Sequence, residues 1–363
     1  MSFPTPIDHQ IMEEANAEPI TEISTNTFVI NLQQAIFSLE TGSSFAESNN
    51  RKPSEIKNDI SPRKHRHFLT GTELSSEEIM HVLQKAKAIK QNPSLYYQTL
   101  IGKSLAMIFE KPSFRTRLSF AMAIQSMGGI AIESIGNTRK QEDPADMARV
   151  LNGYADLIMM RTHADEHLLE LANHAKVPVI NGLTALHHPC QILADLFSLW
   201  EQFGALEGLT VAYIGDGNNI LHSLMLLAPQ LGVKIHYCCP KSNQPNAAIL
   251  QQAQTVQSEM IHHFCNPEDA VKHADAVYTD VWTSMGFEEK ENNVAFEGFQ
   301  VNELLMSYAK PKAVFMHCMP MERGKEVSDT LPDSPASIIF SQSENRMHVQ
   351  KALMLYLHAN IKD

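Results

Sequence analysis

The chain has 363 residues, 44% hydrophobic and 19% charged, the balance of a folded protein with room for two domain-sized cores. Its formal net charge of -12 runs against nucleic acid as a partner, and no apolar run approaches the ~20 residues of a membrane span. Five cysteines, an odd number with no CxxC pair, fit a reducing cytoplasm and neither a disulfide framework nor a zinc knuckle.

Residues 1–64 read as an appendage, partly disordered. The first fifty contain no Lys or Arg and start with no basic-then-apolar layout, which speaks against a mitochondrial transit peptide or a secretion signal. One stretch, TFVINLQQAIFSL, has Phe28, Leu32, Ile36 and Leu39 at helical spacing, and a basic, Pro-broken linker follows. From His67 onward, helical and strand patterns alternate. SSEEIMHVLQKAKAIK predicts a helix and SLAMIFE a strand ending at Glu110. Ser113 is placed to cap a helix whose apolar side runs through Leu118, Met122 and Met127 to the stop at Gly128-Gly129. Pro144 opens a helix through Met147, Val150 and Leu151, before the strand ADLIMMR. VPVINGL is strand, then loop, and Pro189 opens a helix through Ile192, Leu196 and Leu199. A second series starts at Leu209: strand TVAYIG, helix HSLMLLAPQLG, strand VKIHYCC, helix NAAILQQAQTVQ, strands AVYTDVW and AVFMHCMP, and a long final helix SENRMHVQKALMLYLHANI. The fold class expected is α/β: two doubly wound parallel-sheet domains joined by interdomain helices, with ligands beyond the strand C-termini.

The polar residues at those strand ends carry the chemistry. Ser113-Phe114-Arg115-Thr116-Arg117 lies between a strand end and a helix start, where free N–H groups and the helix dipole attract anions. Cations there oppose the dipole, and their guanidinium forks suit phosphate oxygens, so an anion site is expected. GxxxxGK followed by Ser or Thr is absent, so no nucleotide is implied. Gly215-Asp216-Gly217-Asn218-Asn219 imitates a dinucleotide loop, but Ile220 holds the third glycine position, which argues against a nicotinamide enzyme. His187-His188-Pro189-Cys190-Gln191 puts an imidazole and an amide at a helix N-terminus, which favours a neutral ring. Adjacent histidines do not share one helix face, so no metal is expected there. Asp280 begins DVWTSMG after one strand, and His317-Cys318-Met319-Pro320 ends another. Buried cysteines are most often inert packing, so Cys318 alone decides nothing.

Taken together, SxRTR, HPxQ, DGNN, DxxxSMG and HCxP, in this order and with ENR before the last helix, resemble the ornithine carbamoyltransferase family over roughly residues 66–361. The resemblance implies transfer of the carbamoyl group of carbamoyl phosphate to L-ornithine, giving L-citrulline and phosphate in arginine metabolism, with no cofactor and no metal. It implies a cytoplasmic homotrimer whose partners are these small substrates, with no nucleic acid and no membrane. It implies a carbamoyl-phosphate domain at 65–200, an ornithine domain at 201–340, and a C-terminal helix, 341–363, returning to the first. By the same resemblance Ser113, Phe114, Arg115, Thr116 and Arg117, with Arg161, form the phosphate cradle, and His188 and Gln191 meet the carbamoyl group. Asn219, Asp280, Ser284 and Met285 contact ornithine. Cys318, Met319 and Arg346 surround the reacting centre, and Arg117, Arg161, His188, Asp280 and Cys318 are the catalytic set.

Three features depart from the family pattern. Phe114 stands where many members have Thr, and Met319 where they have Leu. The stretch from Gly129 to Asp146 is shorter than the loop that usually lends a residue to the neighbouring subunit, leaving Arg139, Lys140 and Gln141 as candidates. The rival readings are a carbamoyltransferase for acetylornithine, putrescine or aspartate, or an inactive binding paralogue. The DxxxSMG loop speaks against the first, and retention of Arg117, Arg161 and Cys318 against the second.

Overall fold

The computed structural model describes residues 66–135, 142–283 and 293–359, all within one compact unit, Pro62–Asp363. The expected appendage, Arg139, Lys140 and Gln141, and Ser284 and Met285 lie outside the described residues.

Nine strands among the described residues form two wholly parallel sheets. The first contains β1 (Ser104–Phe109), β2 (Ile130–Ile135), β3 (Leu157–Arg161) and β4 (Val179–Leu183), in the order β2-β1-β3-β4. The second contains β5 (Thr210–Ile214), β6 (Lys234–Cys238), β7 (Ile261–His263), β8 (Ala276–Thr279) and β9 (Val314–His317), in the order β7-β6-β5-β8-β9. Each sheet reverses its winding beside its first strand. The two switch points therefore lie at the carboxyl ends of β1 and β3, and of β5 and β8, where open α/β sheets leave a crevice. Every residue of β3 and β5 is buried, as strands covered on both faces must be.

Helices supply the crossovers and the junction: α1 (Ser76–Gln91), α2 (Arg115–Gln125), α3 (Pro144–Leu151), α4 (Asp165–His174), α5 (Pro189–Phe203), α6 (Asn219–Leu227), α7 (Ala247–Gln257), α8 (Pro267–Val271), α9 (Glu303–Ser307) and α10 (Ile339–Ala359). Sequence-coded caps start several of them. Ser75 and Glu78 close a reciprocal capping box on α1, Asp143 caps α3 ahead of Pro144, and Asn218 caps α6. α5 is buried from Pro189 to Leu199, because it sits between the two sheets' layers and packs on α6 and α10.

The two-sheet expectation holds, with local corrections. β2, β7, α4, α8 and α9 have no counterpart in the elements read from sequence. β2 is an edge strand whose apolar Ile130 and Ile132 stay exposed, and β7 has three residues, so neither leaves a clear pattern. α4 is the crossover that parallel pairing of β3 and β4 requires. In α2 the expected apolar side is the wrong one. Leu118 and Met122 are 47% and 50% exposed, whereas Thr116, Phe120, Ala123 and Ile124 face the core. In α3, Val150 is exposed and the small Ala145 and Ala148 are buried.

Candidate active site

The carboxyl ends of the two sheets face a cavity of about 200 Å³. Its wall includes Ser113, Phe114, Arg115, Thr116, Arg161, His188, Gln191, Asn219, Asp280, Cys318, Met319 and Arg346. Every described site residue expected from sequence is on this wall except Arg117. That guanidinium turns to Glu133 on β2, 2.8 Å away, and lies over the Phe109 ring. Two residues along a helix rotate a side chain by about 200°, so Arg115 and Arg117 cannot face the same ligand from this helix. Ser113 is not the N-cap itself, which is Phe114, but from one residue earlier its hydroxyl accepts the Thr116 N–H at 3.2 Å.

Three guanidinium groups meet on the first-sheet side. Arg161 Nη1 donates to Thr116 Oγ1 at 3.3 Å. Arg346 Nη2 donates to the same oxygen at 3.0 Å, and its Nη1 to Gln191 Oε1 at 2.8 Å. Burial pushes Arg161 down to about 10, with the charges of Arg346 and Arg115 adding to it, and burial lowers Arg115 and Arg346 as well. None of the three pairs with a described carboxylate, and the Nε atoms of Arg161 and Arg346 are buried without a protein partner. Like charges gathered out of water need a counter-charge. This side of the cavity carries an excess of positive charge that an anion would offset.

His188 sits between this cluster and α5. Burial, then Arg346 and Arg161, hold its pKa well below the usual imidazole range, so the ring is neutral at physiological pH. Its backbone N–H is held by Ser223 Oγ at 2.8 Å, and its Nδ1 has no protein partner.

The second-sheet side has the opposite polarity. Asp280, one residue past β8, accepts the Cys318 S–H through Oδ1 at 2.9 Å and the Asn218 amide through Oδ2 at 2.7 Å. Burial and the neighbouring Asp280 raise Cys318 well above the usual thiol range, so it stays S–H and acts as a donor. Ligand-type atoms of Asp280, His317 and Cys318 come within 4.8 Å of one another. Both ring nitrogens of His317 are engaged, however: Nδ1 accepts the Met319 N–H at 2.9 Å and Nε2 faces Glu326 at 3.2 Å. Asp280 and Cys318 bond to each other, while the His317 ring is taken up by Met319 and Glu326.

Other residues were missed or reassigned. Lys111 and Leu183 line the cavity, and a basic residue two positions before Ser113 at a strand end was a signal for the former. Asn218, not its neighbour, holds Asp280, while Asn219 donates to the Thr184 carbonyl at 2.9 Å from the cavity wall. Gly217 serves loop packing: a Cβ there would come within 2.3 Å of the Pro245 backbone nitrogen.

Comparison with known proteins bears on the family of the whole two-sheet region. Residues 66–201 match the family model for the aspartate/ornithine carbamoyltransferase carbamoyl-P binding domain, and residues 207–357 match that for the Asp/Orn binding domain. The chain is 42% identical over 312 residues to an ornithine carbamoyltransferase of Pyrococcus abyssi, covering 82% of this chain and 98% of that protein. It is 45% identical over 307 residues to that of Anoxybacillus flavithermus, covering 81% and 97%. The solved ornithine carbamoyltransferase from Pyrococcus furiosus superposes with a TM-score of 0.76 at 42% identity, over 80% of this chain and 96% of that one. Two family models that together span most of residues 66–357, with relatives at 42% identity over 82% of the chain, place the chain in the aspartate/ornithine carbamoyltransferase family.

Proposed function

We propose that this chain is an ornithine carbamoyltransferase, moving the carbamoyl group of carbamoyl phosphate onto the side-chain amine of L-ornithine. The observation that carries this reading is the polarity of one cavity: three guanidiniums with no carboxylate partner among the described residues, opposite the Asp280–Cys318 pair. Carbamoyl phosphate brings a dianion to Arg115, Arg161 and Arg346, aided by Ser113, Thr116 and the backbone of Phe114. His188, Gln191 and Arg346 meet the carbamoyl group. As the amine attacks, its nitrogen bonds to the carbamoyl carbon, the carbonyl oxygen gains charge, and the bond to phosphate then breaks. Donors already in place for that oxygen typically contribute about 10²–10³ each in rate.

Ornithine's side-chain amine has a Lys-like pKa of about 10.4 and must shed a proton to attack. Asp280 and the Met319 carbonyl hold it, the Cys318 thiol keeps Asp280 aimed, and the leaving phosphate carries the proton away. Asn219, with Ser284 and Met285, holds the α-amino acid end. Aspartate would press a second carboxylate on Asp280, which like charge disfavours. The test is citrulline formation by the purified protein with each amine. Strong preference for L-ornithine supports the reading, and comparable kcat/KM for L-aspartate would overturn it.

The same reading makes the protein a homotrimer, supported by the exposed apolar surface of Leu118, Met122, Ile130 and Ile132 on α2 and edge strand β2. The first-sheet half is then the carbamoyl-phosphate domain and the second the ornithine domain. No described helix is long and apolar enough to cross a membrane, and the free cysteines suit a reducing cytoplasm.

A further inference from the structure

Asp195 is a fully buried carboxylate at the junction of the two sheets, off the cavity wall. Its Oδ1 accepts the Gln191 Nε2–H and the Gln342 Nε2–H, each at 2.8 Å, and its Oδ2 accepts the Tyr278 O–H at 2.8 Å. Each donor leads to the site. Gln191, one turn earlier on α5, turns its Oε1 to Arg346. Tyr278 stands on β8 two residues before Asp280. Gln342 on α10 accepts the backbone N–H of His317, the residue before Cys318, at 3.1 Å.

We propose that Asp195 is a positioning residue for the transfer reaction, fixing which way round the Gln191 amide sits and tying that amide to the strands that carry Asp280 and Cys318. The inference rests on the reading given under Proposed function. An ionised carboxylate only accepts hydrogen bonds and a guanidinium only donates them. The Gln191 amide is clamped between one of each, so a single orientation satisfies both: nitrogen to Asp195, oxygen to Arg346. Reversed, it would set an NH₂ against a guanidinium and an oxygen against a carboxylate. Burial pushes the Asp195 carboxyl up to about 6 against the three bonds and the Arg346 charge that hold it down, which leaves it ionised at neutral pH. The bonds to Tyr278 and Gln342 join the same carboxylate to the second sheet, so the anion half and the amine half of the site share one anchor.

A double-mutant cycle separates positioning from plain stabilisation. Asp195→Ala, Gln191→Ala and the double variant are assayed for citrulline formation beside the wild type, with oligomer mass checked by light scattering. Asp195→Ala is expected to lower kcat about 30- to 100-fold with KM for ornithine within about threefold. The double variant should be no more than about threefold slower than Gln191→Ala alone, because the effect passes through that amide. Should Asp195→Ala not fold, Asp195→Asn replaces it, with an expected loss of about three- to tenfold that vanishes in the Gln191→Ala background. Tyr278→Phe should slow kcat about threefold or more while leaving carbamoyl phosphate affinity, read by calorimetry, unchanged. Losses that multiply in the double variant, or wild-type kcat in Asp195→Ala or Tyr278→Phe, overturn the inference alone. An inactive wild type overturns the reading beneath it as well.

Discussion

Arg115 and Arg117 show how one residue of separation changes a side chain's task. Arg115 faces the cavity, while Arg117 is committed to Glu133 and the Phe109 ring. Replacing Arg115 by Leu should weaken carbamoyl phosphate binding by about 10- to 150-fold, the equivalent of the ~1.5–3 kcal/mol of a charge-assisted hydrogen bond. Arg117→Leu should leave that affinity within about threefold and cost roughly 0–1 kcal/mol of stability, since its partner is partly exposed. Calorimetry on both variants checks this, and a larger binding loss for Arg117→Leu would reverse the assignment. Asp280→Asn addresses the other end of the cavity. It keeps the shape and most hydrogen-bonding sites but removes the charge that faces the amine. kcat/KM for ornithine should fall about 10²- to 10³-fold, with carbamoyl phosphate affinity nearly unchanged. Equal losses in both measurements would show that Asp280 acts on the whole cavity and not on the amine.

At the scale of elements, the start of α1 ties the chain's entry to its last helix. Glu78 completes the capping box by accepting the Ser75 N–H at 2.8 Å, and the same carboxylate takes the Arg66 guanidinium and the Tyr356 hydroxyl of α10. The Arg66 hydrogen bond, then that of Tyr356, pulls the Glu78 pKa down to about 2 from its ordinary 4.5. A carboxyl lowered in the folded state stabilises the fold above its unfolded pKa and stops doing so as pH falls through its folded one. This contribution is therefore complete at neutral pH and fades between about 4.5 and 2. With Arg66 partly exposed, it amounts to roughly 1–2 kcal/mol. Glu78→Gln should lower Tm at pH 7 and converge on the wild type toward pH 2, as thermal unfolding across pH would show. A Tm difference independent of pH would assign the effect to packing alone.

For the whole molecule, the family match begins at residue 66. Deleting residues 1–60 should therefore leave citrulline formation and the number of subunits per particle unchanged, and an inactive or dissociated truncation would make that segment part of the working fold. The proposed trimer has its own test on α2. Met122→Glu places a charge in the middle of the exposed apolar surface with Leu118, Ile130 and Ile132. Light scattering should then report a smaller particle, and an unchanged mass would move the subunit contact elsewhere.

Much of the molecule was legible without coordinates. Alternating strand and helix periods imply two parallel sheets, and parallel sheets put their ligands at strand C-termini. The polar residues of SxRTR, HPxQ and HCxP stand at those ends in the linear order of the chain. Such information is local, set by caps, turns and side-chain period within a few residues. What needed the tertiary structure depends on rotation or on contacts across the chain. The turn of α2 separated Arg115 from Arg117 and left Leu118 and Met122 outside. Arg346 joined Thr116 across 230 positions, and Asp195 met Tyr278 and Gln342 across 83 and 147. A buried charge acquires its task from the donors that surround it, and those donors come together only when both sheets close on α5 and α10.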